Sequence, residues 1–182
     1  MQKPILAAMT ATMLTLMASA SSQAADVALL SELGSSDLSR SYGIINQDGN
    51  DQSALIDQVT FGNAGGNYAE IIQKGYSNVA AITQRGDANS SKINQTGTSN
   101  TANSMQFGTG NTIDLTQSGD FNYFDGRQYG NYNTITMTQP GQASAIVSET
   151  GDHNVIQLNL NSSQKITIDL VGNGRQITAT TN

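Results

Sequence analysis

The chain has 182 residues, of which only 12% are charged, with a formal net charge of −6, whereas about a quarter of an average soluble domain is charged. That acidic balance argues against a nucleic-acid partner, whose phosphates call for a basic surface, and one His with no Cys leaves little for a transition-metal centre. Asn (18) and Gln (16) approach a fifth of the chain while hydrophobic residues reach only 37%, so a broad apolar core is hard to fill and catalysis finds little material.

The first element is a targeting segment. After Lys3 comes an apolar run from Ile5 to Ala18 and then small residues, the layout of a secretory signal. The run is shorter than the roughly twenty residues of a membrane span, so residues 1–24 read as a cleaved signal peptide, with cleavage after Ala24 or after Ala20. The exported chain then carries no transmembrane segment, and lacking Cys it must find stability without disulfides. Residues 25–40 follow as a non-repeat segment, expected to be mobile or a short appendage.

From Ser41 onward a repeat sets the architecture. Gln47 and Gln58 lead into Gln73, Gln84, Gln95, Gln106, Gln117, Gln128 and Gln139 at intervals of eleven. Two places after a Gln come the turn glycines Gly49, Gly75, Gly86, Gly97, Gly108, Gly119, Gly130 and Gly141, with Gly151 beyond. Three places later stand Asn78, Asn89, Asn100, Asn111, Asn122 and Asn133, with Asn67 and Asn154 as outliers of the same series. An eleven-residue period also fits a right-handed coiled coil, but a Gly in every unit costs about 1 kcal/mol in a helix. Asn, two small or aliphatic residues and Gln instead fall at every second place, which is strand alternation.

This register predicts thirteen strands, beginning near Ser41, Gln52, Asn67, Asn78, Asn89, Asn100, Asn111, Asn122, Asn133, Ser144, Asn154, Gln164 or Lys165, and Arg175. Buried unpaired charge is expensive, and of the seventeen charged residues from Ser41 onward only Arg175 falls at an inward place. Lys74, Arg85, Asp87, Asp120, Asp152 and Pro140 fall in turns. An eight-residue turn, Val59 to Gly66, should bulge from the stack, and Phe124 with Gly126 suggests a large residue compensated by a small one. After Gln142 the motif decays: Ser144 replaces Asn, one residue is lost before Gly151, and Leu160 and Leu170 replace Gln. The expected fold is an all-β, flattened two-sheet β-solenoid of about six 22-residue strand-turn-strand repeats, regular to about residue 140 and degenerate over 141–182. Stacked coils would let each inward amide bond to the identical amide of the next, as in cross-β ladders.

Other chemistries find little support. Thr134, Thr136 and Thr138 suggest an ice-binding or ligand-binding row, but their neighbours Thr112, Asp114, Thr116 and Ser90, Lys92, Asn94 do not continue it. A calcium repeat needs Asp at fixed turn places, and a glycosidase needs two carboxylates facing one cleft; neither pattern is present. His153 sits beside Asp152 in a turn, and Tyr76, Tyr123, Tyr129 and Tyr132 fall at turns or outward places, open to fibre contacts or matrix ligands. No catalytic, cofactor-binding or metal residue is assigned.

The consensus running from Gln73 to Gln84 and from Gln95 to Gln106, with the opening Ser41 to Gln47, resembles the curlin repeats of bacterial curli subunits. The likeness is strong over residues 41–140 and weak over 141–182. It implies a secreted functional amyloid that crosses the outer membrane through a dedicated pore and polymerises as a surface fibre for adhesion and biofilm matrix. Its partners would be itself, a paralogous curlin subunit and surface accessory proteins. The segment before Ser41 lacks the Gly-rich character of major subunits, and the stretch Ala69 to Gly75 and the irregular C-terminal end look more like the minor, nucleating subunit. Against that, only Lys165 and Arg175 are basic in the last strands. The nucleator is the favoured reading and the major fibre subunit the alternative.

Overall fold

The computed structural model describes residues 15–19, 27–34, 41–61 and 65–181. Every described element is a strand: β1 (Thr15–Ser19), β2 (Val27–Gly34), β3 (Tyr42–Asn50), β4 (Ser53–Thr60), β5 (Tyr68–Tyr76), β6 (Val79–Asp87), β7 (Ser90–Thr98), β8 (Thr101–Thr109), β9 (Thr112–Ser118), β10 (Tyr123–Tyr129), β11 (Thr134–Gln139), β12 (Ser144–Thr150), β13 (Val155–Asn159), β14 (Lys165–Val171) and β15 (Gln176–Thr180). Odd-numbered strands form one parallel sheet, sheet A, in the order β1 to β15; even-numbered strands form a second, sheet B, from β2 to β14. Consecutive strands therefore alternate between sheets, and the chain winds as a β-solenoid with thirteen strands from Tyr42 onward, as the repeat predicts.

Pairing is in register, so like meets like. Gln73 lies beside Gln95 and Gly75 beside Gly97, and Gln84 lies beside Gln106. Alternation sends one face of each strand into a thin core of Ile45, Ile71, Ile93, Leu115 and Met137 on sheet A and Ile56, Ile82 and Val147 on sheet B. Large and small residues compensate within a coil: Ala102 and Ser104 of β8 precede Ile113 and Leu115 of β9. At Gly126 an added Cβ would overlap the Phe124 ring, which fills that space itself. Where Ser91 and Ser104 face inward, their hydroxyls bond to each other across the core at 2.7 Å.

Three differences from the sequence expectation stand out. Strands run past the ladder Gln, so Lys74, Arg85 and Asp87 end β5 and β6 and do not lie in turns. In β12 the register is shifted by one: Ala143, Ala145, Val147 and Glu149 are inward and fully buried, while Ser144 and Ile146 face out. The residue is lost in the turn after Gly141, before the strand and not after it, and this turns Glu149 inward, whereas Arg175, the one charge the repeat places inward, is exposed. Third, the segment before Ser41 is not wholly an appendage, because β2 pairs in parallel with β4, aligning Glu32 with Gln58 and Leu30 with Ile56. Of the expected signal peptide only β1 is described, paired with β3; residues 1–14 and 20–24 lie outside the described residues, as do 25–26, 35–40 and Gly62.

Candidate functional site

The most ordered chemistry lies in two ladders of buried amides. On sheet A, Gln47 donates through Nε2 to Gln73 Oε1, Gln73 to Gln95, Gln95 to Gln117 and Gln117 to Gln139, each at 2.8 Å. On sheet B, Gln58 donates to Gln84 at 2.7 Å, Gln84 to Gln106 at 2.8 Å and Gln106 to Gln128 at 2.9 Å. Identical residues can do this because a primary amide carries both donor and acceptor and coils stack about 4.8 Å apart. The second Nε2 hydrogen crosses to the other sheet, to the carbonyl of the first residue of the preceding strand: Gln84 to Tyr68 O at 2.9 Å, Gln95 to Val79 O at 3.0 Å, Gln139 to Tyr123 O at 2.9 Å. The ladders thus bind coil to coil and sheet to sheet.

The Asn and Gly of the motif act as one device. Gly75 has φ +113, and a Cβ there would collide with the Gly97 carbonyl oxygen; the bare α-carbon is what lets the next turn come so close. That carbonyl accepts the Asn78 amide at 3.0 Å. The same pairing joins Asn67 to Gly86, Asn89 to Gly108, Asn100 to Gly119, Asn111 to Gly130, Asn133 to Gly151 and Asn154 to Gly172, at 2.7 to 2.9 Å. Gly49 and Gly151 make the same close approach to the next coil, whereas Gly141, where the unit is a residue short, meets nothing nearer than 3.9 Å. Asn amides also ladder among themselves, with the opposite polarity to Gln: Asn89 donates back to Asn67 and Asn111 to Asn89 at 3.1 Å on one corner, and Asn122 to Asn100 at 2.9 Å on the other. Sequence reasoning placed these amides inward but did not foresee the Asn to Gly-carbonyl bond, whose signal is the fixed three-residue offset of Asn from Gly.

The ladders stop before the stack does. Sheet A places Leu160 after Gln139, and on sheet B Gln128 donates to Glu149 Oε2 at 2.8 Å, with Leu170 beyond. Glu149 is fully buried and its Oε1 has no partner; burial pushes its pKa up to about 7, against the opposing hydrogen bond from Gln128. At the C-terminal end β14 and β15 are edge strands, and Ile166, Ile168, Ile177 and Ala179 are only partly covered.

Outward groups form small, internally satisfied clusters. Tyr68 stacks on Tyr42 with centroids 5.8 Å apart, donates to Glu70 at 3.0 Å and lies under Lys92; burial, with the Glu70 bond, pushes its phenol up to about 12. Arg85 pairs with Asp57 and Arg127 with Asp125. Tyr132 stacks on His153 at 5.2 Å. Turn carboxylates accept backbone N–H groups of the neighbouring coil, as Asp120 does from Thr98 at 2.8 Å and Asp152 from Asn131 at 2.7 Å. Among the described residues no group of His, Cys, Asp and Glu could hold a metal ion, and no helix is long and apolar enough to cross a membrane.

A family model, the curlin associated repeat, matches residues 66–97 and 108–141. The chain carries curlin repeats. The matched stretches contain Gln73, Gln84 and Gln95, then Gln117, Gln128 and Gln139, so the curlin signature coincides with the amide-bonded coils; Gln106 lies between them and is bonded in the same way. No curated protein and no solved structure matches the chain.

Proposed function

We propose that this chain is a structural subunit of an extracellular curli-type amyloid fibre, exported with the loss of residues 1–24 and acting as the minor subunit that nucleates polymerisation at the cell surface. The observation that carries the reading is the pair of amide ladders, Gln47 to Gln139 and Gln58 to Gln128, inside a stack whose last strands have a neighbour on one side only. A sheet edge recruits strands, and an amide ladder selects a strand with Gln in phase. A second copy, or a paralogous curlin, docking head to tail would continue both the sheets and the core. Secretion pore, accessory proteins, adhesion and biofilm matrix come with the curlin likeness. The role is structural, without cofactor or catalysis.

The test uses the chain from residue 25 onward, purified unfolded, with dye-binding fibre growth followed alone and when added in small amounts to a major curlin. Abolition of the lag phase of the major subunit, with little fibre from the chain itself, is the expected result. Long fibres from the chain alone would assign it the major role instead. A soluble monomer that neither grows nor seeds would refute the fibre reading.

A further inference from the structure

Glu149 stands where the repeat calls for Gln, and its surroundings suit an uncharged group. It accepts from Gln128 through Oε2, it is fully buried, and Oε1 has no partner. At the two preceding ladder positions a side-chain N–H reaches the carbonyl opening the preceding strand, from Gln128 to Thr112 at 3.0 Å and from Gln139 to Tyr123 at 2.9 Å. The equivalent carbonyl for Glu149 is that of Thr134. A carboxylate has no hydrogen for it; a carboxylic acid has one.

The segment Glu149 holds has also lost its Gln ladders and one of its two corner Asn bonds, the other being kept by Asn133, which donates to Gly151 O at 2.7 Å. Leu160 and Leu170 end both Gln ladders, and Ala143 stands where a corner Asn would be, so Asn122 accepts only backbone N–H groups there, from Gly141 at 2.9 Å and Ala143 at 3.1 Å. The short turn from Pro140 to Ala143 is the joint between the nine strands β3 to β11, which carry the Gln ladders, and the four that follow.

We propose that β12 to β15 form a proton-held cap on the stack: with Glu149 protonated they stay docked on β10 and β11, and with Glu149 ionised they open and bare the ladder ends at Gln128 and Gln139. Docking rests on the solenoid alone; its consequence for fibre growth rests on the reading proposed above. Inward neighbours offer the charge no relief. They are Phe124 and Gln128 on β10, Ile168 and Leu170 on β14, and Met137 and Leu158 on β11 and β13 across the core. The ionisable groups of these strands, Asp125, Arg127, Lys165 and Asp169, lie on the outer faces, and Asp152 and His153 of the following turn are bonded to Asn131 and stacked on Tyr132.

The direction in pH follows from burial, which raises the carboxyl from the usual 4.5 to about 7. Below 4.5 the group is protonated whether the cap is open or closed, and docking has its full strength. Between 4.5 and 7 the open form ionises first, so docking weakens as pH rises, and above 7 the weakening is complete. Between pH 5 and pH 8 the open-to-closed ratio therefore rises about a hundredfold.

Two measurements on the monomeric chain from residue 25 onward decide it. A carbon-13 titration should place the Glu149 carboxyl midpoint near 7; a midpoint near 4.5 overturns the proposal. Amide hydrogen exchange, corrected for intrinsic rate, should show protection of β12 to β15 falling about a hundredfold from pH 5 to pH 8 while β6 to β9 hold theirs, and Glu149→Gln should abolish that dependence. The same fall in Glu149→Gln overturns it. Should exchange follow Glu149 while no fibre forms at any pH, the cap stands and the fibre reading fails.

Discussion

A Gln in the middle of a ladder fills nearly all of its hydrogen-bonding capacity inside a core that water does not reach. Gln106 accepts from Gln84, donates to Gln128 and donates to Ser90 O at 3.0 Å, with no exposed surface. A hydrogen bond contributes only about 1 kcal/mol net, but a buried group left without its partner costs about 1 to 3 kcal/mol. Gln106→Leu keeps the volume and orphans the forward donor of Gln84, the acceptor of Gln128 and the carbonyl of Ser90. It should therefore destabilise the monomer by roughly 3 kcal/mol or more, whereas the outward Thr83→Ala should stay within about 0.5 kcal/mol. Urea unfolding of the two variants gives the comparison, and similar midpoints would show that the ladder contributes little.

At the scale of the strand and its turn, the close approach of coils depends on glycine, and the turns differ in how much they depend on it. At Gly97, φ is +122 and a Cβ would meet the Gly119 carbonyl oxygen, which holds the Asn100 amide; at Gly174, φ is +64 and nothing lies within 4 Å. Gly97→Ala must spread the coils and break that bond, at a cost of about 3 kcal/mol, while Gly174→Ala carries only the left-handed backbone term of about 1 kcal/mol. Thermal unfolding should separate them by several degrees, and equal shifts would remove the contact argument. Strand existence was readable from the sequence because Asn, two core residues and Gln fix phase every eleven residues, and a slip of one turns a whole strand over. That same rule explains the error at β12. A unit one residue short can lose it before or after the strand, and Ala143 or Ser144 serves equally well at the corner. The rule against buried charge then favours the register that keeps Glu149 outside, and the molecule buries it. For β2 the missing signal was the substitution itself: Glu32 and Gly34 keep the Gln-x-Gly spacing with Glu for Gln, as Glu149 and Gly151 do.

At the scale of the molecule, each described strand pairs only with the strands two places before and after it, so stability should accumulate along the stack and not reside in one core. Register puts Glu32 beside Gln58 and Glu149 beside Gln128, so the sheet B ladder has a Glu aligned with each end of its Gln run. Sheet A carries no such residue at its C-terminal limit, where Leu160 follows Gln139. A chain ending at Pro140 removes β12 to β15 and leaves β2 to β11 with every Gln to Gln bond of both ladders. If stability is additive, that chain keeps its β-sheet circular dichroism per residue and unfolds at lower denaturant with a smaller dependence on denaturant concentration, since less surface is exposed. Its ladder ends at Gln128 and Gln139 are permanently bare, so within the fibre reading it should elongate faster than the full chain at pH 5 and no faster at pH 8. Loss of all sheet signal on truncation would show that the last coils are integral to a cooperative fold, and a growth advantage independent of pH would place the control of the end elsewhere than at Glu149.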